Sequence, residues 1–460
     1  MSVVQSRRFM KTFFFIIPTA YRTNAILRSD IFSSLKTKSK IVILSPFVDD
    51  EDFTKEFSGE NVVHQALPAL PASLVKTSRV REHALALDTA KHEHAKLVEM
   101  STTANALIRS LPPKDRVMKF LRMLLRPFRS TLVNLFDYLE EYAISEPSFE
   151  GLLREHSPDG IVVGTLSHDA HDIAWLAVGR KHRVPVFVVD LPWNYFENRL
   201  YSVPRQAHIF VWNDLMKQEL VDLKSINAEL IHVEGCQRYD TYAKFSPSAT
   251  REELFKSIGA DPQKKLITYF VGTDNWHPHQ LDVTKLLLED IKAMRIPESM
   301  VLVRFGPTQR IPEAYISLQQ EFPNLLLESA DTLPNKDHVA NLLNFADVNL
   351  SIFSSLALDA AVLNKPMIYT GLSGLDHAEN DDAVIRLLFT FSFIRKALET
   401  GGVDVAYDKD TFRSIIGSYM NDPEQNAEKR VTLVNSYLPN FGTAGSHIAD
   451  TIMQISSAPA

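Results

Sequence analysis

Short apolar runs alternate with helix-length segments from the first residues of this chain, and that alternation limits what it can fold into. "FFFII" is followed by a helix-favouring stretch from Ala20 to Lys36, and "KIVILSPF" follows that. Further along come "DGIVVGT", a helix candidate from Ala170 to Lys181, and "VPVFVVDL". Runs of four to eight apolar residues separated by helices describe βαβ units, whose parallel sheet is covered on both faces. The first half is therefore read as α/β. With 460 residues, 45% of them hydrophobic, the chain can bury more than one core of this kind.

The alternation stops between Pro71 and Glu150, where charged, helix-favouring sequence suggests a helical insertion in the first domain. Its centre, "KDRVMKFLRMLLRPFR", sets Lys114, Arg116, Lys119, Arg122, Arg126 and Arg129 around an apolar stripe. That composition, over 114–129, suits a helix lying on a membrane surface. It equally suits the solvated face of a core-packed helix.

At "KFSPSATREELFKSIGADPQKKLITYFVG" the pattern restarts. Pro247 closes one region, Thr250 and Glu253 have capping-box spacing, and "KLITYFVG" begins new strand character. The expected domains are 1–247, with the insertion at about 71–150, then 248–435, with a tail at 436–460. The helical character of that tail begins near Asn421 and runs to Ile455. "SMVLVRFGP", "NLLLES", "VNLSIF" and "KPMIYTG" supply the strands of the second domain.

A formal net charge of −7 argues against a general nucleic-acid footprint. Cys236 is the one cysteine, which excludes an intrachain disulfide framework or a cysteine-rich zinc site and fits a cytoplasmic protein. "RRFMKTFFFIIPTAY" imitates a signal peptide, but its apolar run is short and ends at Pro18, so it reads as a buried first strand. No apolar stretch approaches the roughly 20 residues of a membrane span.

In open α/β sheets ligands bind beyond the carboxyl ends of the strands, where loops enter helices. "ADVNLSIFSSLALDAAVLNKPMI" contains such a loop at Ser354 and Ser355. A helix N-terminus exposes unpaired N–H groups and partial positive charge that favour an anion, and Asp359, four residues on, shares a face with Ser355. Phosphate at the turn and a ribose diol at the carboxylate fit that spacing. So does an ordinary helix start, with Ser as N-cap and Asp complementing the dipole.

Taken with its neighbours, this segment resembles the second domain of GT-B nucleotide-sugar glycosyltransferases, especially the CDP-glycerol polyol-phosphate transferases. The shared positions are Asp347, Ser354, Ser355, Asp359, Asn364, Lys365 and Pro366. "GCQRYD" is similar to the family's G-x-x-R-[FY]-D through Gly235, Arg238, Tyr239 and Asp240. "LPWNY" keeps Trp193 and Asn194 of the W-D-N loop of surface-carbohydrate members, without its aspartate. "GTLSHDAHD" resembles a loop of the related UDP-GlcNAc 2-epimerases, with His168 and Asp169 at the turn. The family's N-terminal Arg-Asn and later Arg correspond to Arg22, Asn24 and Arg28.

The resemblance implies two Rossmann-like parallel-sheet domains facing a central cleft. It implies a donor nucleotide held by Gly272, Thr273, Arg304, Ser354, Ser355 and Asp359, and an acceptor side formed by Arg22, Asn24, Arg28, Trp193, Asn194, Arg238 and Asp240. His168 or Asp169 is then the general base. A metal read from His168, His171, Asp169 and Asp172 lacks a third convincing ligand, so no metal and no cofactor are expected. Arg304 precedes Phe305-Gly306-Pro307 where the polyol-phosphate transferases have His-Pro, and His277 and His279 read as surface residues. The activity implied is sugar transfer from a nucleotide-activated donor to a surface-glycan or lipid-linked acceptor. Polyol-phosphate transfer and non-catalytic binding are the alternatives. A hydrolysing epimerase is disfavoured because "VVDLPWNY" replaces its H-x-E-A-G-x-R segment.

Overall fold

The computed structural model describes residues 10–85, 128–144, 147–166, 169–193, 206–224, 226–272, 279–306, 309–329, 336–372, 389 and 391–457. The basic stretch 114–127, His168, Asn194, Thr273 and His277 lie outside them. The described residues form two compact units: those up to Thr241 and from Tyr437 onward make the first, and those within Tyr242–Ser436 make the second.

Seven strands build the first unit: β1 (Thr12–Ile16), β2 (Lys40–Ser45), β3 (Val62–Ala66), β4 (Gly160–Val163), β5 (Val186–Val188), β6 (His208–Val211) and β7 (Ile231–Val233). Their order is β3-β2-β1-β4-β5-β6-β7, and every pairing is parallel. The sheet is thus wound outward in both directions from a switch point between β1 and β4. β1 is fully buried, as "FFFII" requires of a central strand with apolar side chains on both faces.

One feature of this unit departs from expectation. The segment Ala20 to Lys36 is not one helix but a turn at Ala20–Arg22, a wide turn at Thr23–Leu27 and a helix at Asp30–Lys36. Ser29 makes the break: its hydroxyl donates to the Ile26 carbonyl (2.7 Å) and accepts from the Ile31 N–H (3.3 Å), capping a new helix. The C-terminal helix Ala444–Ser457 packs on Asp30–Lys36, and its Ile448, Ala449 and Ile452 share a core with Phe13, Phe15 and Ile31. Within 71–150 the described segments are helices, Ala72–Leu85, Arg129–Ala143 and most of Pro147–His156.

The second unit has six strands: β8 (Lys265–Phe270), β9 (Ser299–Phe305), β10 (Leu325–Ser329), β11 (Val348–Ser351), β12 (Met367–Thr370) and β13 (Asp404–Ala406). Their order, β10-β9-β8-β11-β12-β13, repeats the winding of the first unit, with the switch point between β8 and β11. Helix Arg251–Ile258 opens the unit with both halves of the capping box read from the sequence: Thr250 accepts from the Glu253 N–H, and Glu253 accepts from the Thr250 N–H. No helix among the described residues is long and apolar enough to cross a membrane.

Candidate functional site

The switch point of the first unit holds a buried charge cluster. Arg22 follows β1 and is almost fully buried; its guanidinium pairs with Asp190, which follows β5. Its other terminal nitrogen donates to Thr165 Oγ1 (3.2 Å) and lies 3.7 Å from Asp172. Asp172, in the first turn of helix Ala170–His182, accepts from the Thr165 N–H and hydroxyl (both 2.8 Å) and from the Gly164 N–H (3.3 Å). Complete burial raises its pKa to about 6, against the lowering effect of Arg22 and the Thr165 hydrogen bonds.

Arg238 completes the cluster. Its Nε is 3.2 Å from the second oxygen of Asp190, its Nη1 donates to the Tyr21 hydroxyl (2.7 Å), and it lies over the Trp212 ring. Burial pushes the neighbouring Cys236 thiol up to about 11, so that thiol is protonated at neutral pH. Two arginines and two carboxylates thus meet at the strand ends, and Asp190, paired with both arginines, is a residue that sequence reading did not single out.

The other acceptor-side residues of this unit are placed differently. Arg28 is exposed and bridges Glu56 through two bonds (2.6 and 2.7 Å), with Nη1 donating to Asn24 (2.5 Å). Trp193 is buried edge-on against Tyr437. Both oxygens of Asp240 accept backbone N–H bonds from Ala444 and Gly445, at 3.1 and 2.7 Å, so it caps the C-terminal helix. Asp169 is the N-cap of helix Ala170–His182, accepting from the His171 N–H at 2.7 Å.

In the second unit, Gly272 follows β8. Its N–H, expected to face phosphate, donates to Gln280 (2.6 Å), and its carbonyl accepts from Gln280 (3.0 Å) and Gln309 (2.9 Å). A Cβ at this position would fall 2.5 Å from Ile352 Cδ1, so the two switch-point loops approach closely here and any larger residue would make the Ile352 side chain shift. Arg304, near the end of β9, pairs with Glu328, which stands opposite it on β10; Glu328 also bonds His338 at 2.9 Å. Burial lowers the pKa of both Arg304 and His338. His279, expected at the surface, is buried at the start of helix Gln280–Lys292.

The turn after β11 enters helix Leu356–Val362 without a side-chain cap from Ser355. Ser354 Oγ accepts from the Leu356 N–H (3.3 Å), while the Ser354 carbonyl accepts from the Tyr369 hydroxyl (2.6 Å). Asp359 accepts a 2.6 Å bond from Tyr242. Burial, and next the Asp359 charge, push the Tyr242 pKa well up, so this is a phenol-to-carboxylate bond throughout the physiological range.

Two parallel sheets with the same outward winding, each carrying polar loops at its switch point, define a two-domain α/β protein with a GT-B-like fold. No family model matches the chain, and no curated protein matches it by sequence. Solved structures do match. A UDP-GlcNAc 2-epimerase from Neisseria meningitidis, bound to UDP-GlcNAc, is 13% identical with a TM-score of 0.56, over 96% of this chain and 100% of that one. MnaA of S. aureus with UDP is 12% identical with a TM-score of 0.55, over 98% and 99%. A glycosyltransferase from Rickettsia africae is 10% identical with a TM-score of 0.53, over 98% and 100%. At such identities the fold is what is shared.

Proposed function

We propose that this chain is a nucleotide-sugar glycosyltransferase that moves a sugar from a nucleotide-activated donor to a surface-glycan or lipid-linked acceptor. The observation that carries the reading is the Arg22–Asp190–Arg238 cluster at the switch point of the first unit, in a chain whose second unit repeats the same winding. Arg238, partly exposed and held at the strand ends by Asp190, is a positioned donor of the kind a departing diphosphate or an acceptor phosphate takes, because charge there is stabilised without reorganisation. The likeness to structures holding UDP-GlcNAc and UDP supports a nucleotide-sugar ligand.

In this reading the second unit holds the donor. Ser354 and Ser355 donate to the diphosphate, Asp359 accepts from the ribose diol, and Gly272, Thr273 and Arg304 line the adjoining strand ends. His168 or Asp169 takes the acceptor hydroxyl proton, the new C1–O bond forms, and the bond from C1 to the diphosphate oxygen breaks. Trp193, Asn194, Asn24 and Arg28 are assigned to the acceptor side, while Asp240 is committed to the cap of the C-terminal helix.

Calorimetric titration with UDP-, CDP-, GDP- and CMP-sugars tests the donor site. One donor class should bind, and Ser355→Ala with Asp359→Ala should weaken it by about tenfold or more. Unchanged affinity in that double variant removes the donor-site assignment. Product analysis then decides the chemistry: a new glycosidic bond supports sugar transfer, a new phosphodiester supports polyol-phosphate transfer, and an epimerised sugar formed without acceptor opposes both.

A further inference from the structure

Helix Arg129–Ala143 is inverted relative to an ordinary surface helix. Its carboxylates point inward: Glu140 is 1% exposed and pairs with Arg81 and Arg180, Asp137 pairs with Arg81 at 2.8 Å, and Glu141 pairs with Arg180 at 3.2 Å. Its outward residues from Thr131 are Thr131, Asn134, Leu135, Tyr138, Leu139 and Tyr142, none of them charged. Leu135, Tyr138, Leu139 and Tyr142 are 48%, 65%, 37% and 73% exposed. Their i, i+3, i+4, i+7 spacing makes one continuous stripe, and Phe128, 63% exposed, precedes Leu135 by seven residues. A solvent-facing helix normally carries its charges on this side, and a large apolar stripe left there marks an interaction surface.

We propose that this stripe rests on an anionic lipid surface. The chain leading into the helix, 114–127, contributes Lys114, Arg116, Lys119, Arg122 and Arg126 against one carboxylate, Asp115, so the sequence next to an uncharged aromatic stripe is strongly cationic. Tyrosine and leucine at the headgroup boundary, with cations drawn to acidic lipid, are the two attractions by which a peripheral protein binds a bilayer. A second copy of this chain is a poorer occupant. A 15-residue helix is about 22 Å long and 10 Å wide, so its face covers a few hundred Å2, whereas a stable dimer uses about 800 Å2 per partner.

Flotation of the full chain tests this, using phosphatidylcholine vesicles with and without phosphatidylglycerol, at low and high salt. The protein should float with the anionic vesicles, less so at high salt, and Leu135→Ser with Tyr138→Ser, Leu139→Ser and Tyr142→Ser should reduce partition about tenfold. Circular dichroism establishes that this variant is folded, and the single change Tyr142→Asp reports on the same stripe if it is not. Flotation equal to the parent in a folded variant overturns the proposal, as does failure of the parent to float. Self-association that the substitutions abolish, without flotation, assigns the stripe to a second copy and also overturns it.

Discussion

Arg22 crosses directly over Gly164: a Cβ built on that glycine would lie 2.2 Å from Nε and 2.5 Å from Cζ of the arginine. The guanidinium reaches Asp190 and Thr165 only because the strand end beneath it has no side chain. Gly164→Ala should therefore displace Arg22 and destabilise the first unit by about 1–3 kcal/mol, as overpacking of a filled site does. In an Arg22→Ala background the same substitution should cost nothing further, since the atoms it would meet are gone. Thermal melts of the four proteins check both statements, and additive effects would separate the two residues.

Asp172 should give the stability of the first unit an acid-side slope. Its folded pKa, about 6, lies above the ordinary carboxylate value, so between about pH 4 and 6 the native chain holds a proton that the unfolded chain has released. The stabilisation from that proton is complete below about pH 4 and is lost as pH rises through 6, on the order of 3 kcal/mol in all. Asp172→Asn should remove this component. Denaturant midpoints at a series of pH values check it: a variant whose slope from pH 4 to 6 equals the parent's would place the titration elsewhere.

The elements legible in the sequence were those with local causes. β1 declares itself by five consecutive apolar residues, and the start of helix Arg251–Ile258 by a capping box whose two bonds span three residues. β3 was not legible: "VVHQA" carries His64 and Gln65 because an edge strand need not be apolar on both faces. Strand β13, three residues long, gives no period to read. The charge cluster was half visible. Arg22 and Arg238 could be picked out, but Asp190 acquires its role from an arginine 168 residues away, and Asp172 looked like part of a metal spacing until its partners proved to be Thr165 and Gly164.

Gly235 holds the chain reversal that delivers Arg238 to the cluster. Its φ is +88°, and a Cβ there would fall 2.0 Å from the Pro439 carbonyl oxygen, so backbone geometry and space both demand glycine. Gly235→Ala should cost at least about 2 kcal/mol, or roughly 4–8 °C in the melting transition of a unit this size. Asp240→Ala, which removes the cap from helix Ala444–Ser457, should cost about 1–2 kcal/mol. Thermal unfolding checks the order of the two effects; a Gly235 variant that melts with the parent would show that this turn is not under constraint.

Tyr242 and Asp359 are joined by a 2.6 Å bond between a half-buried phenol and a carboxylate. Removing only the hydroxyl takes one charge-assisted hydrogen bond from the carboxylate, so Tyr242→Phe should destabilise the second unit by about 1–3 kcal/mol. Asp359→Asn should cost less, because an amide oxygen still accepts from the phenol. A double-mutant cycle with Tyr242→Phe and Asp359→Ala should give a coupling of about 1–2 kcal/mol. Donor titration separates stability from function. If Asp359 takes the ribose diol, Tyr242→Phe changes donor affinity without changing which nucleotide binds, because the phenol orients the carboxylate and does not read the base. A zero coupling energy in the cycle would show that the bond does not operate in solution.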